Sequence, residues 1–304
     1  MLRFKELKRL LPTHKNKLLT LEMACRTKDG TASSVCNSTG FNCRRDIPVF
    51  FLAMEEDSLV GYLSIFLPEE STAELNVLVH PDYRRKGIFT ELLHRAKATL
   101  SAVGTKEILF VCEPSSADSV AVMQAMHAEK KTSEYRMLLE QTTTVPILPS
   151  LSGNLPGSSK YFPPGSKTRL LEANREDLPL LGRMNALFFD TSDEIGEQFA
   201  EESYDTPGVT VYKYCIADEN QNTIPIGTVC FFEESGSGNI FGLGILPEYR
   251  GRGFGKDLLL QLLARIRSDR KIYLQVSSRN AAAFQLYRKT GFQIIAQQDF
   301  WLLS

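Results

Sequence analysis

The 304-residue chain has no uncharged apolar run long enough to cross a membrane as a helix, which needs about 20 consecutive apolar residues. It also lacks an excess of either charge: 35 Lys and Arg against 36 Asp and Glu leave a net charge of −1. No basic footprint therefore points to nucleic acid as a partner. Histidine is scarce, and His14, His80, His94 and His127 stand at no spacing that suits a metal. The six cysteines (Cys25, Cys36, Cys43, Cys112, Cys215 and Cys230) are scattered. Cys36 and Cys43 share a polar loop but match no strong zinc pattern, so neither a metal nor a disulfide framework is expected. Cys112, Cys215 and Cys230 lie inside apolar strand patterns and are expected as buried thiols. No Cys–His pair suggests a nucleophile. The first residues, MLRFKELKRLLPTHKNKLL, interleave charge with apolar positions and lack the uncharged centre of a signal peptide. A cytoplasmic protein is expected.

What is present is a glycine-rich loop in an informative setting. Arg250-Gly251-Arg252-Gly253-Phe254-Gly255-Lys256 lies between an apolar strand-like run, Ile240 to Leu246, and an amphipathic helix-like run, Leu258 to Ile266. Glycines at a strand-to-helix turn let the backbone approach a ligand closely. Free N–H groups at the helix start, with three cations, then favour an anion such as a phosphate. A Walker loop would need Ser or Thr after the lysine, where Asp257 stands. A Rossmann turn would need Gly-x-Gly-x-x-Gly, whereas these glycines alternate. Downstream, Lys271 to Val276 reads as a buried strand. Asn280-Ala-Ala-Ala283-Phe-Gln-Leu286-Tyr287 then reads as a capped helix that Gly291 ends before Phe292.

The two motifs, in this order and with these elements between them, resemble the GNAT superfamily of acetyl-CoA-dependent N-acetyltransferases over residues 168–304. A second copy is visible. TAELNVLVHPDYRRKGIFTELLH (72–94) aligns with GNIFGLGILPEYRGRGFGKDLLL (238–260). Pro81 matches Pro247, Tyr83 Tyr249, Arg84 Arg250 and Gly87 Gly253, all 166 residues apart. A repeat of that length implies two copies of a whole domain. The stretch 142–167 is rich in Pro, Gly and Ser and reads as linker. The expected organisation is a degenerate N-terminal domain at 1–145, a linker at 146–165 and a C-terminal domain, expected to be catalytic, at 166–304. This is similar to tandem-GNAT proteins of the mycothiol synthase type. The expected fold class is α/β, each domain a mixed, mostly antiparallel sheet of about six or seven strands flanked by helices. Expected elements include a helix from Glu6 to about Arg26, a hairpin around the polar turn at 218–222, and two closing strands within Phe292 to Leu303.

The resemblance implies a reaction: an acetyl group moves from acetyl-CoA to a primary amine on a small molecule or peptide. It implies that Leu243, Gly244 and Ile245 pair with the pantetheine arm, with Gly242 and Gly244 consistent with a strand bulge. Arg250, Gly251, Arg252, Gly253, Phe254, Gly255 and Lys256 would hold the pyrophosphate. Asn280 would contact the arm and also cap its helix, and Tyr287 would protonate the leaving thiolate. A backbone N–H of the strand before the loop would stabilise the oxyanion. No general base is assigned. Glu74 lies where some relatives keep a strand carboxylate, but in the other half. Asp190, Asp193, Glu194, Glu233 and Glu234 are the candidates near the second copy. In the first copy Phe89 replaces Gly255, and the residues after Cys112 hold no Asn-x-x-Ala-x-x-Leu-Tyr run. The alternative reading is a non-catalytic acyl-CoA sensor.

Overall fold

A computed structural model of the chain describes residues 1–33, 35–140, 167–217, 223–266 and 270–303. The expected linker at 146–165 and the polar turn at 218–222 lie outside these residues. The chain divides into two compact units. The N-terminal unit comprises Met1–Tyr135, Ser277–Arg279 and Ile295–Ser304, and the C-terminal unit Arg136–Val276 and Asn280–Ile294.

The chain begins with strand β1 (Leu2–Leu7) and helix α1 (Pro12–Asp29), not with one helix from Glu6. Two local facts set that boundary. Leu2 and Phe4 alternate with the exposed Arg3 and Lys5 and pack on the core, and Pro12 suits a helix start but not its interior. Gly30, at φ +68°, ends α1 with its N–H on Arg26 O at 2.8 Å. Next come β2 (Phe50–Glu55), β3 (Ser58–Glu69), β4 (Thr72–Val79), α2 (Ile88–Ala102), β5 (Glu107–Cys112), α3 (Ala117–Ala125) and β6 (Glu129–Glu140). The second series is β7 (Lys167–Glu172), α4 (Leu178–Phe189), α5 (Asp193–Asp205), β8 (Val209–Ala217), β9 (Thr223–Glu234), β10 (Ser237–Ile245), α6 (Phe254–Leu263), β11 (Lys271–Ser277), α7 (Ala281–Lys289) and β12 (Gln293–Leu302). The end of the chain thus forms one strand where two were expected.

Strand order is β1-β2-β3-β4-β5-β12 in the N-terminal unit and β6-β11-β10-β9-β8-β7 in the C-terminal unit, β6 belonging to the latter from Arg136 and β12 to the former from Ile295. The closing strands are exchanged. β12 pairs antiparallel with β5, with Asp299 opposite Cys112 and Leu302 opposite Leu109, while β6 neighbours β11. A division into 1–145 and 166–304 therefore differs from the compact units at both of these strands. Each closing strand follows the last helix of its own copy, so trading them keeps the same kind of strand in each place.

In each unit one strand pair is parallel and soon parts. β4 pairs with β5 from Thr72 to Asn76, and β10 with β11 from Ser237 to Ile240. The remaining ends, Val77–Val79 and Phe241–Ile245, have open edges on that side. These edges position the sites described below.

The exchanged strand is held in the N-terminal unit by a buried carboxylate. Asp299 is 2% exposed and accepts hydrogen bonds from Lys130 Nζ, Ser133 Oγ and the Gln297 amide, each at 2.7 Å. Burial alone would raise its pKa, but the Lys130, Gln297 and Ser133 bonds outweigh that and hold it below the ordinary value. Asp299→Ala is expected to lower the stability of the N-terminal unit by about 2–3 kcal/mol, the scale of lost hydrogen bonds to a buried charge. Urea denaturation followed through Trp301, which packs on that unit's core, measures it.

Candidate functional site

In the C-terminal unit the strand, loop and second helix come together around the open edge of β10. Opposite β9, Phe241 faces Cys230 and Gly244 faces Thr228, a register shift of one residue. Gly242 sits at φ +61° within that bulge, a conformation side chains rarely adopt. A Cβ at Gly244 would overlap the ring of Phe188. The two glycines thus serve different ends: one permits the bulge, and the other lets α4 pack close. Leu243, Gly244 and Ile245 follow as the open edge.

After the short turn Pro247–Tyr249, Arg250 donates from Nε to Ile245 O at 2.8 Å. Its side chain is otherwise exposed, with no carboxylate partner among the described residues. Gly251 and Gly253 lie at φ +74° and +87°. Gly255 does not share that role: it is helical, and a Cβ there would make only ordinary contacts with Leu286 and Ile245. Gly253 precedes α6 and offers no side-chain cap, so the first N–H groups of the helix remain open to a ligand. Phe254 is buried, edge-on to Tyr214 and Tyr249, so its ring serves the core and only its backbone faces the loop. Arg252 is half-buried, while Lys256 is exposed. Below them Asp257, 4% exposed, accepts from Thr168 Oγ1 and Tyr214 OH at 2.6 Å and Gln261 Nε2 at 2.7 Å. The residue that breaks a Walker pattern is thus a brace for the start of α6.

Helix α7 approaches the same place through Leu286. Asn280 caps it, accepting from Ala283 N at 3.0 Å. Tyr287 is buried against Phe292, with ring centroids 5.9 Å apart. Its hydroxyl has no hydrogen-bond partner among the described residues, and burial pushes its pKa up to about 12. It therefore stays protonated near neutral pH, as a proton donor must.

Several residues here were not singled out in the sequence. Phe199 meets Phe241 edge-on at 6.0 Å and tilts against Phe189 at 6.1 Å. With Phe188 they form an aromatic wall beside the bulge. Among the described residues, two buried polar atoms here lack hydrogen-bond partners, Asn185 Oδ1 and Thr228 Oγ1. Thr228 lies opposite Gly244 and Asn185 one turn before Phe188. Their signal would have been polar residues inside otherwise apolar helical and strand patterns. The acidic candidates Asp190, Asp193, Glu194, Glu233 and Glu234 are all exposed. Glu233 pairs with Arg270 at 2.5 Å. At the strand position matching Glu74 stands the buried Ile240. Among the described residues no group of three or more His, Cys, Asp or Glu is placed to hold a metal. All six cysteines are free thiols; Cys215 and Cys230 are buried as expected, whereas Cys112 is only partly so.

The N-terminal unit repeats the frame with different chemistry. Arg84 donates from Nε to Val79 O at 3.1 Å, and Gly87 precedes α2 at φ +78°. Arg85 takes φ +62° where the other unit has Gly251. Phe89 replaces Gly255 and packs towards Phe110, centroids 6.0 Å apart. Ser116 caps α3 as Asn280 caps α7. Counting from those caps, Met123 occupies the place of Tyr287, and it cannot give up a proton. Glu74 is half-buried on β4; burial and then the Glu134 carboxylate push its pKa up to about 7. A cavity of about 270 Å³ opens between the parted strands and α3.

Comparison with known proteins agrees with this geometry. The model of the acetyltransferase (GNAT) family matches twice, at residues 17–128 and 180–292. A mycothiol acetyltransferase of Mycolicibacterium smegmatis is 25% identical over 90% of each chain. Among solved structures, a GCN5-related N-acetyltransferase from Sphaerobacter thermophilus superposes with a TM-score of 0.71 at 16% identity, covering 99% of this chain and 95% of that one. A tandem GNAT protein from the clavulanic acid biosynthesis pathway gives 0.66 at 18% identity, covering 99% and 98%. These two likenesses establish the fold.

Glu74 gives a test by pH. Its folded pKa of about 7 lies above the ordinary 4.5, so the folded state keeps a proton that the unfolded chain releases. Its contribution is complete below about 4.5, is lost as pH rises towards about 7, and changes no further above that. Glu74→Gln is expected to flatten this slope and to raise the melting temperature at pH 8. About 2–4 °C corresponds to roughly 1 kcal/mol. Melting curves of both proteins from pH 4 to 8 check it.

Proposed function

The chain belongs to the acetyltransferase (GNAT) family and is an acetyl-CoA-dependent N-acetyltransferase, and within that activity we propose that the C-terminal unit carries the reaction. One observation carries this reading. Among the described residues, only there does an arginine with no carboxylate on its guanidinium stand beside open helix N–H groups together with a buried, protonated tyrosine.

The residues fit the donor. Acetyl-CoA supplies its acetyl group as a thioester. The N–H groups from Gly251 to Gly255, with Arg250 and Lys256, bind the diphosphate. The open edge at Leu243, Gly244 and Ile245 takes the amide-bearing arm as an added strand. Arg252 adds positive charge to the loop, while Phe254 anchors it through the core. Asn280 holds the start of α7 in place and presents that turn to the arm. Backbone N–H groups at the Gly242 bulge, freed from the β9 ladder, stabilise the oxyanion as the amine attacks. Tyr287 then delivers its proton to the departing thiolate, and its raised pKa keeps that proton available.

The acceptor is a small primary amine with an apolar or aromatic body. Phe188, Phe199 and Phe241 supply the wall for that body. Asn185 Oδ1 and Thr228 Oγ1, buried acceptors without partners, suit the N–H groups of the amine. No carboxylate stands on β10, so the attacking amine passes its proton to water. The mycobacterial relative, by its name, acts in mycothiol chemistry; only the broader class, a small-molecule amine, is carried to this chain.

Tyr287→Phe removes the hydroxyl and keeps the packing. It is expected to lower acetyl-CoA turnover by about 10²- to 10⁴-fold against a panel of small primary amines, with CoA affinity unchanged. A variant that turns over as fast as the parent would remove Tyr287 from the reaction.

A further inference from the structure

The N-terminal unit has kept a cavity and filled its anion site with its own carboxylates. The cavity, about 270 Å³, is walled by Val77, Phe89, Phe110, Val122 and Met123, with Arg84 at one side. β4 is open there, because its pairing with β5 stops at Asn76. Arg84, however, has four of its five N–H donors committed within the protein. Asp29 grips the guanidinium with both oxygens, at 2.9 and 2.7 Å. Asp118 takes a further bond at 2.7 Å, and Nε is spent on Val79 O. The Arg84 and Asp29 side chains are only 19% and 13% exposed, so this pairing is shielded from water and salt.

We propose that Asp29 and Asp118 are specificity determinants that stand in for phosphate and close the N-terminal cradle to the diphosphate of CoA, so that the chain holds one CoA and not two. A diphosphate entering there would have to displace two carboxylates from one guanidinium and then lie beside them, like charge against like. The equivalent of Asp118, counted from the helix caps, is Ala282 in the C-terminal unit, which brings no charge to Arg250. The cavity itself remains open to chains that are uncharged at the Arg84 end. The mechanism needs no other change: Arg85 and Gly87 still hold the loop at positive φ, so its backbone is shaped as in the other copy.

The proposal rests on the reading of Arg250 as a diphosphate ligand only for its point of comparison, and the test separates the two. Calorimetric titration with CoA on the full chain is expected to give one equivalent for the parent and none for Arg250→Glu. Adding Asp29→Asn and Asp118→Asn to Arg250→Glu is expected to restore one equivalent, now at Arg84. Asp118→Asn alone in that background serves if the Asp29 change impairs folding, and is expected to give a weaker equivalent. The proposal is overturned if Arg250→Glu alone still binds CoA in a way that Arg84→Gln abolishes. It is equally overturned if the neutralised variants, folded by circular dichroism, bind none. If the parent binds none, the C-terminal reading fails. A gain on neutralising the aspartates would still support the proposal.

Discussion

Both units are organised by the parting of two parallel strands. A parallel pair that separates after four or five residues leaves backbone donors and acceptors along one edge, and a buried backbone group without a partner is costly. In the C-terminal unit the extra residue between Phe241 and Gly244 turns the edge further outward. The arginine after each strand then reaches back to its last carbonyl, Ile245 in one unit and Val79 in the other. Strand, loop and helix start are locked together by that one bond.

On this shared frame, a few side chains decide what each copy does. Asp257 under α6 braces the helix start through Thr168, Tyr214 and Gln261, and Arg250 meets no carboxylate among the described residues. In the other copy the charged residues turn inward, and Asp29 and Asp118 spend Arg84 on the fold. Tyr287 against Met123 divides them again, since a thioether has no proton to offer. The N-terminal copy keeps a desolvated carboxylate, Glu74, on the strand where the C-terminal copy has Ile240. The two copies thus differ in their ionisable groups, and among the described residues only the arginine of the C-terminal loop lacks a carboxylate partner.

Much of this was legible in the sequence because the signals are local. The alternation of glycines at 251–255, the cap at Asn280 and the 166-residue repeat each depend on neighbours along the chain. The bulge at Gly242 was legible for the same reason. What was hidden depends on distant residues. Asp29 precedes Arg84 by 55 positions, and no local pattern marks it as a partner. Met123 escaped because the spacing between copies drops from 166 at the loops to 164 at the helix caps, so a fixed offset missed it. The exchange of β6 and β12 left no trace, since two strands that follow equivalent helices can close either unit. The split between β1 and α1 was available in Pro12, but the charged, apolar-interleaved start read equally well as helix.

The central claim is that one unit binds the donor and the other has closed its cradle. A crystal structure of the full chain grown with saturating CoA tests this most directly. The expected result is a diphosphate on the N–H groups of Gly251 to Gly255 beside Arg250, with Arg84 still held by Asp29 and Asp118. A diphosphate on the Arg84–Gly87 loop, with Arg84 drawn off its aspartates and the Arg250 loop empty, would contradict the account.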